Sequence, residues 1–441
     1  DEERLAGDYL KERFQTYGLK PAFGSSYFQE FPFIEKLELT KNNSLTLINS
    51  GNEIFLKPGD DFITAPFSGN SRVVGNAVFV GYGVSAPRLN YDDYEGIDVK
   101  GKVVIAMRYH PEHDSSKSSF DMYSTYRQKA ALARDKGAAA IIFVNGFLPK
   151  NDEDLLMNLR YDGAPAMQNF SVLQIKRSSV DQIFKDAKLD FADYQKRIDQ
   201  SKQPMVIEIE NLLIDIETEI QAVEKTARNV AGILEGNDEQ FKNEYIVIGA
   251  HYDHLGIDQL LTSSMYKGNE KVIHFGADDN ASGTAGVMEL AEKFASMKDQ
   301  LKRSFIFIAF SGEELGLLGS SYFVNNPPIP LENIITMLNM DMVGRLNSES
   351  NLTVIGAGTS STWKNLLEEK NNYELKLSLS ESGSGGSDHQ VFYNKNIPVL
   401  FFFTGTHEDY HRPTDVAEQI NYEGQEKVLN YVFEIADAVN Q

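Results

Sequence analysis

From Tyr245 onward the chain alternates short apolar runs with longer amphipathic stretches. Four runs, Tyr245 to Gly249, Ser304 to Phe310, Ile334 to Met340 and Pro398 to Phe403, are nearly continuous in apolar residues and five to seven residues long. Such a run, without strict alternation, reads as a strand covered on both faces. Between them, Thr284 to Met297, Thr362 to Lys370 and Gly424 to Val439 follow the helical period. Strand alternating with helix predicts an α/β unit, a mostly parallel sheet with helices on both faces, here placed at 215–441.

Upstream the pattern changes. Leu5, Tyr9, Leu10, Phe14 and Leu19 recur near the helical period, and Gly18 suits a helix end. From Phe28 to about Ile63 short alternating strands follow, such as Leu45-Thr46-Leu47-Ile48. The whole segment 1–67 is expected to pack on the C-terminal unit. Residues 68–214 then read as an inserted smaller domain. It has strand-like Ala77 to Val80, Lys102 to Ala106 and Ala138 to Val144, with a helix near Gln128 to Lys136. His110 and His113 are read as solvated loop residues.

Length and composition narrow the field. A chain of 441 residues exceeds one ordinary core and implies at least two domains. The formal net charge of -22 disfavours nucleic acid or an anionic membrane as partner. No apolar run approaches the roughly 20 residues of a membrane span. With no cysteine in the chain, any metal must be held by histidine and carboxylate. The chain begins at Asp1, as a mature or trimmed form would, and an extracytoplasmic location, periplasmic or secreted, is expected.

Histidine and acidic residues follow the four runs. His251 stands just past the first, with Asp253 placed to orient its ring and His254 read as a supporting or loop residue. Glu313 and Glu314 follow the second. Adjacent side chains diverge, so one can bind metal while the other stays free as a base. Asp341 follows the third, and a buried acid needs a partner. His411 follows the fourth, with Asp415 as the expected partner of its ring. Gly276 to Gly283 brackets Asp278, Asp279 and Asn280 ahead of a helix, an excess of acids for one cap. His274 and His407 are read as loop residues. In an open α/β sheet these groups converge beyond the carboxyl ends of the strands, which makes a hydrolytic metal site.

Two resemblances sharpen this reading. Val80-Gly81-Tyr82-Gly83, Asp92-Asp93-Tyr94, Val99 to Val104 and Lys136 to Ile142 resemble the protease-associated (PA) domain. The C-terminal blocks resemble, in order, the M28 family of zinc aminopeptidases. That resemblance implies two zinc ions, with His251 and Asp341 on one, Glu314 and His411 on the other, and Asp279 bridging. Asp279 matches the bridging acid because it lies four residues before the Gly of the Ser282-Gly283 pair. The resemblance also implies a cis bond between Asp279 and Asn280, Glu313 as general base acting on a metal-bridging water, and His389, after Asp388, as an oxyanion donor. Peptides with a free N-terminus would be the substrates, hydrolysed at the first residue. A glutaminyl cyclase-like acyltransferase, a carboxypeptidase using Arg345 or Arg412, and an inactive binding module are the competing readings. The loop from Gly256 to Val272, with Leu260, Leu261, Met265 and Tyr266, is expected to border the cleft. Nothing in the sequence fixes the oligomeric state.

Overall fold

The computed structural model describes residues 2–115, 117–149, 153–257, 263–268 and 270–441. The chain divides into two units, one of Asp1–Phe33 with Lys225–Gln441 and one of Ile34–Glu224.

In the first unit the four apolar runs become adjacent parallel strands, in the order Ser304–Phe310, Tyr245–His251, Ile334–Met340 and Val399–Phe403. Ile220–Leu234 pairs antiparallel outside Ser304–Phe310. Asn351–Ile355, antiparallel to Val399–Phe403, and Lys376–Ser380 extend the other side. The absence of alternation has a direct cause. One face of these strands (Ile246, Ile248, Phe305, Phe307, Leu338) packs with Val287, Leu290 and Phe294 of the helix Gly283–Ser296 and with Val428, Tyr431 and Ile435 of Tyr422–Asn440. The opposite face (Val247, Ile306, Ile308, Met337, Val399) packs with Phe323 and Phe392. Burying each such side chain contributes about 1.5–3 kcal/mol, so two-sided burial holds the strands more than local propensity does.

The N-terminal helix, Glu2–Thr16, buries Gly7, Leu10 and Phe14 along one stripe and ends before Gly18, which takes a φ of +82°. Leu5 and Tyr9, expected on that stripe, are exposed, because they lie well around the helix from Leu10.

The second unit holds an eight-stranded sheet ordered Asn52–Leu56, Ser44–Asn49, Val206–Thr218, Ser71–Val80, Val103–Met107, Ala140–Val144, Ser171–Ile175 and Phe62–Thr64. This corrects the expected boundaries at 67 and 214. Residues 44–64 pair in this sheet, with Leu45 opposite Ile216 and Leu47 opposite Ile214, all four buried in its core. The helix Tyr126–Asp135 starts at a capping box between Thr125 and Gln128. His110 and His113 are packed rather than solvated. His110 Nε2 lies 2.9 Å from Asp121, and His113 Nε2 lies 2.9 Å from Asp199.

Candidate metal centre

Parallel strands deliver their carboxyl ends to one edge, and the expected ligands gather there. His251 is the last residue of its strand, Asp341 follows Met340 directly, and Glu313 and Glu314 occupy the turn after Phe310. Asp279 comes from the segment leading into Gly283–Ser296, and its bond to Asn280 is cis. Asn280 pins that segment. Its Oδ1 accepts from the Gly283 and Met342 amides at 3.0 and 3.2 Å, and its Nδ2 donates to the Met340 carbonyl at 3.1 Å.

Asp279 lies between two histidines, one oxygen toward each. Its Oδ1 is 3.3 Å from His251 Nε2 and its Oδ2 is 3.2 Å from His411 Nε2. Asp341 Oδ1 is 3.5 Å from the same nitrogen of His251, and Glu314 Oε2 is 3.5 Å from that of His411. The other ring nitrogens face carbonyls. His251 Nδ1 lies 3.1 Å from the Asp253 carbonyl, and His411 Nδ1 lies 3.1 Å from the Ser263 carbonyl and 2.7 Å from the Ser263 hydroxyl. With Nδ1 donating to these carbonyls, each Nε2 would be free to face a cation.

Two expected supports act differently. Asp415 does not hold the His411 ring. Its carboxylate accepts the backbone N–H of Asp278 and of Asp279, each at 3.0 Å, and so fixes the segment that presents Asp279. The Asp253 carboxylate lies 3.7 Å from His251 and accepts the Glu313 and Glu314 amides at 3.1 and 3.3 Å. It orders the glutamate turn, and the His251 ring is held mainly by its carbonyl. His407 is no loop bystander either. It pairs with buried Asp278 at 3.1 Å, while Asp278 accepts the Gly344 amide at 2.7 Å. Ser387, not foreseen, donates to Asp341 Oδ2 at 2.7 Å and accepts from Asn339 at 2.9 Å.

The electrostatics follow from burial and crowding. Burial pushes Glu313 up to about 10; His251 opposes this, and Asp341, Asp388 and Asp253 add to it. Burial likewise raises Asp388 to about 7 against the pull of His251 and the Ser320 hydroxyl. Burial would lower His251, yet Asp341 and Glu313 carry it well above its ordinary range. Burial would raise Asp279, yet its bonds to His251 and His411 hold it below the usual carboxylate range.

These residues fit a divalent cation. Two groupings, His251–Glu313–Asp341 and His254–Asp279–Glu314, each offer three ligand atoms within reach of one ion. Asp341 Oδ1 is buried with no hydrogen-bond partner. Nitrogen and oxygen donors in this ratio suit zinc. His254 competes with His411 for the second position. His254 spends Nδ1 on Glu314 Oε1 at 2.8 Å, whereas His411 turns one nitrogen to both Asp279 and Glu314, which favours His411.

The His389 ring stacks on Phe401 at 4.4 Å, neither nitrogen is hydrogen bonded, and burial pushes it down to about 4. Tyr410 lies directly at the cluster. It stacks on His411 at 3.8 Å, and its phenol is raised by burial and by Asp279, Glu314, Asp341 and Glu313. Its position next to His411 was the one signal in the sequence. Arg345 is paired with Asp409 at 2.7 Å. The Met265 amide donates to the His411 carbonyl at 2.9 Å, so the 256–272 loop does adjoin the site, while Leu260 and Leu261 lie outside the described residues.

Comparison with known proteins shows what the two parts of the chain resemble. Residues 229–436 match peptidase family M28 and residues 70–183 match the PA domain. Aminopeptidase YwaD of Bacillus subtilis is 30% identical over 211 residues, 45% of this chain and 42% of its own length. Leupeptin-inactivating enzyme 1 of Streptomyces exfoliatus is 33% identical over 145 residues, 33% of this chain and 32% of its own. The chain thus spans less than half the length of these curated relatives. Among solved structures, the aminopeptidase from Aneurinibacillus sp. strain AM-1 matches with a TM-score of 0.52 at 22% identity, over 99% of this chain and 88% of that one. BSAP, a zinc aminopeptidase from Bacillus subtilis, gives 0.52 at 21%, over 99% and 89%. At that identity the likeness establishes the fold.

Proposed function

We propose that this chain, which carries a peptidase family M28 domain and an inserted PA domain, is a zinc aminopeptidase that removes the first residue of peptides. The observation that carries the reading is Asp279, one oxygen toward His251 and the other toward His411. A carboxylate so placed would offer one oxygen to each of two cations. His251 and Asp341 would hold one zinc, and Glu314 and His411 a second. When bound, zinc supplies Lewis acidity toward the peptide carbonyl and acidifies water.

The protein's own groups do the rest. Glu313 is raised by burial and by neighbouring acids only while no cation offsets them; with cations bound its carboxylate is ionised, accepts a proton from the attacking water and returns it to the leaving amine. The Tyr410 phenol stays protonated and donates to the carbonyl oxygen as charge builds there, the role first expected of His389. Glu313 and Asp341 favour a protonated α-amine nearby, because each can accept a charge-assisted hydrogen bond. Arg345 is already paired with Asp409, which weakens the carboxypeptidase alternative. The named aminopeptidases among the relatives support the same activity.

The test is a panel of aminoacyl chromogenic amides beside their N-acetyl forms, with metal content measured. Unblocked amides with apolar first residues should be hydrolysed, chelation should abolish activity, and zinc should restore it. Comparable rates on acetylated substrates would overturn the aminopeptidase reading. Full activity with one tightly bound ion per chain would overturn the two-metal reading.

A further inference from the structure

Several exposed apolar side chains stand on segments that carry or adjoin the metal centre. Gly256 and His274 form an antiparallel bridge, with the His274 amide donating to the Gly256 carbonyl at 2.9 Å. That pairing sets Ile257 beside Ile273 and Leu255 beside Phe275. Leu255 is buried, but Ile257, Ile273 and Phe275 are 50–60% exposed. Two more apolar side chains stand half exposed close by. Leu315 directly follows Glu314, and Met265 is the residue whose amide holds His411.

The position of this surface decides what meets it. The centre has two unlike ends. The end formed by His251, Glu313 and Asp341 backs onto Asp388 and Asn339, both completely buried. The other end, His254, Glu314 and His411, is the one the bridge adjoins, because His254 lies two residues from Gly256 and its ring packs against Gly276, next to Phe275. An N-terminal residue has chain on one side only. With its amine among Glu313 and Asp341, as proposed above, the rest of the peptide runs toward the end formed by His254, Glu314 and His411. The exposed side chains beside that end are then the neighbours of the residues that follow the scissile bond.

We infer that Ile257, Ile273, Phe275, Leu315 and Met265 form an apolar collar selecting peptides with apolar residues on the leaving side of the cleaved bond. This deepens the aminopeptidase reading and rests on it. Apolar contact of this size discriminates modestly, about five- to twentyfold per side chain, and acts mainly on binding.

The experiment compares three substrates with the same first residue on the zinc-loaded enzyme: an unsubstituted aminoacyl amide, which releases only ammonia, a tripeptide with two apolar residues after the first, and one with two serines there. The wild type should show the lower KM for the apolar tripeptide. Ile273→Ser and Phe275→Ser should each raise KM for that peptide about fivefold or more and leave kcat, the serine peptide and the amide within twofold. Equal losses on all three substrates would mean damage to the centre, and no preference in the wild type would mean no collar; either outcome overturns the inference. Failure of the aminopeptidase reading looks different, since then none of the three substrates is cleaved.

Discussion

Glu313 and Glu314 are neighbours with different surroundings, and that difference is testable one atom at a time. Glu314 lies against His411 and His254. Glu313 lies with His251 and Asp341 among further acids that no base fully offsets. Glu313→Gln should lower kcat about 10²–10⁴-fold with metal content unchanged, and Glu314→Gln should release metal. Steady-state kinetics with metal analysis separates the two, and the reverse pattern would refute the assignment. Tyr410→Phe removes one donor and should cost about 10²-fold in kcat, a larger loss than His389→Phe should bring. His251, Glu313, Glu314, Asp341 and His411 were legible because they follow buried runs, and Asp279 because it stands in an excess of acids ahead of a helix. Their supports were not. Asp415 and Asp253 stand near histidines in sequence, but proximity along the chain does not say whether a carboxylate turns to a ring or to a backbone amide.

The element that places both glutamates is a turn, and turns are held by what satisfies their amides. Here the Asp253 carboxylate takes the Glu313 and Glu314 N–H groups, and Asn229 Oδ1 takes that of Ser311 at 3.1 Å. Asp253→Asn keeps the size but removes the charge and one acceptor. It should weaken zinc affinity about 10–100-fold, read by competition with a chromogenic chelator, while far-ultraviolet circular dichroism stays unchanged. An unchanged affinity would show that the turn is rigid without it. The strands themselves were readable at this scale because two-sided burial leaves an unbroken apolar run. The strands between 44 and 64 alternate, and alternation tells which face is buried without telling which sheet is joined. That choice depends on Ile214 and Ile216, roughly 170 residues further on, and no local pattern reveals it.

At the scale of the molecule, each unit has cores of its own. Residues of Asp1–Phe33 and Lys225–Gln441 build those around Phe294 and Ile306, and residues of Ile34–Glu224 build those around Phe79 and Ile141. The ligands all belong to the first unit. Calorimetric unfolding should therefore show two transitions, and chelation should lower one of them while the other keeps its temperature, since a ligand stabilises only the unit that binds it. A single transition moved as a whole by zinc would contradict this.

The helix Glu2–Thr16 is made before the strands it docks on, since its stripe of Leu10 and Phe14 lies in a core whose strands come from residues after 225. On the ribosome this helix must wait while roughly 190 residues of the intervening unit emerge, about 10–40 s at ordinary translation speeds. The nascent chain thus carries an unsheltered apolar stripe while the intervening unit is made, and a chaperone that shields it would act at this helix long before the centre it serves exists.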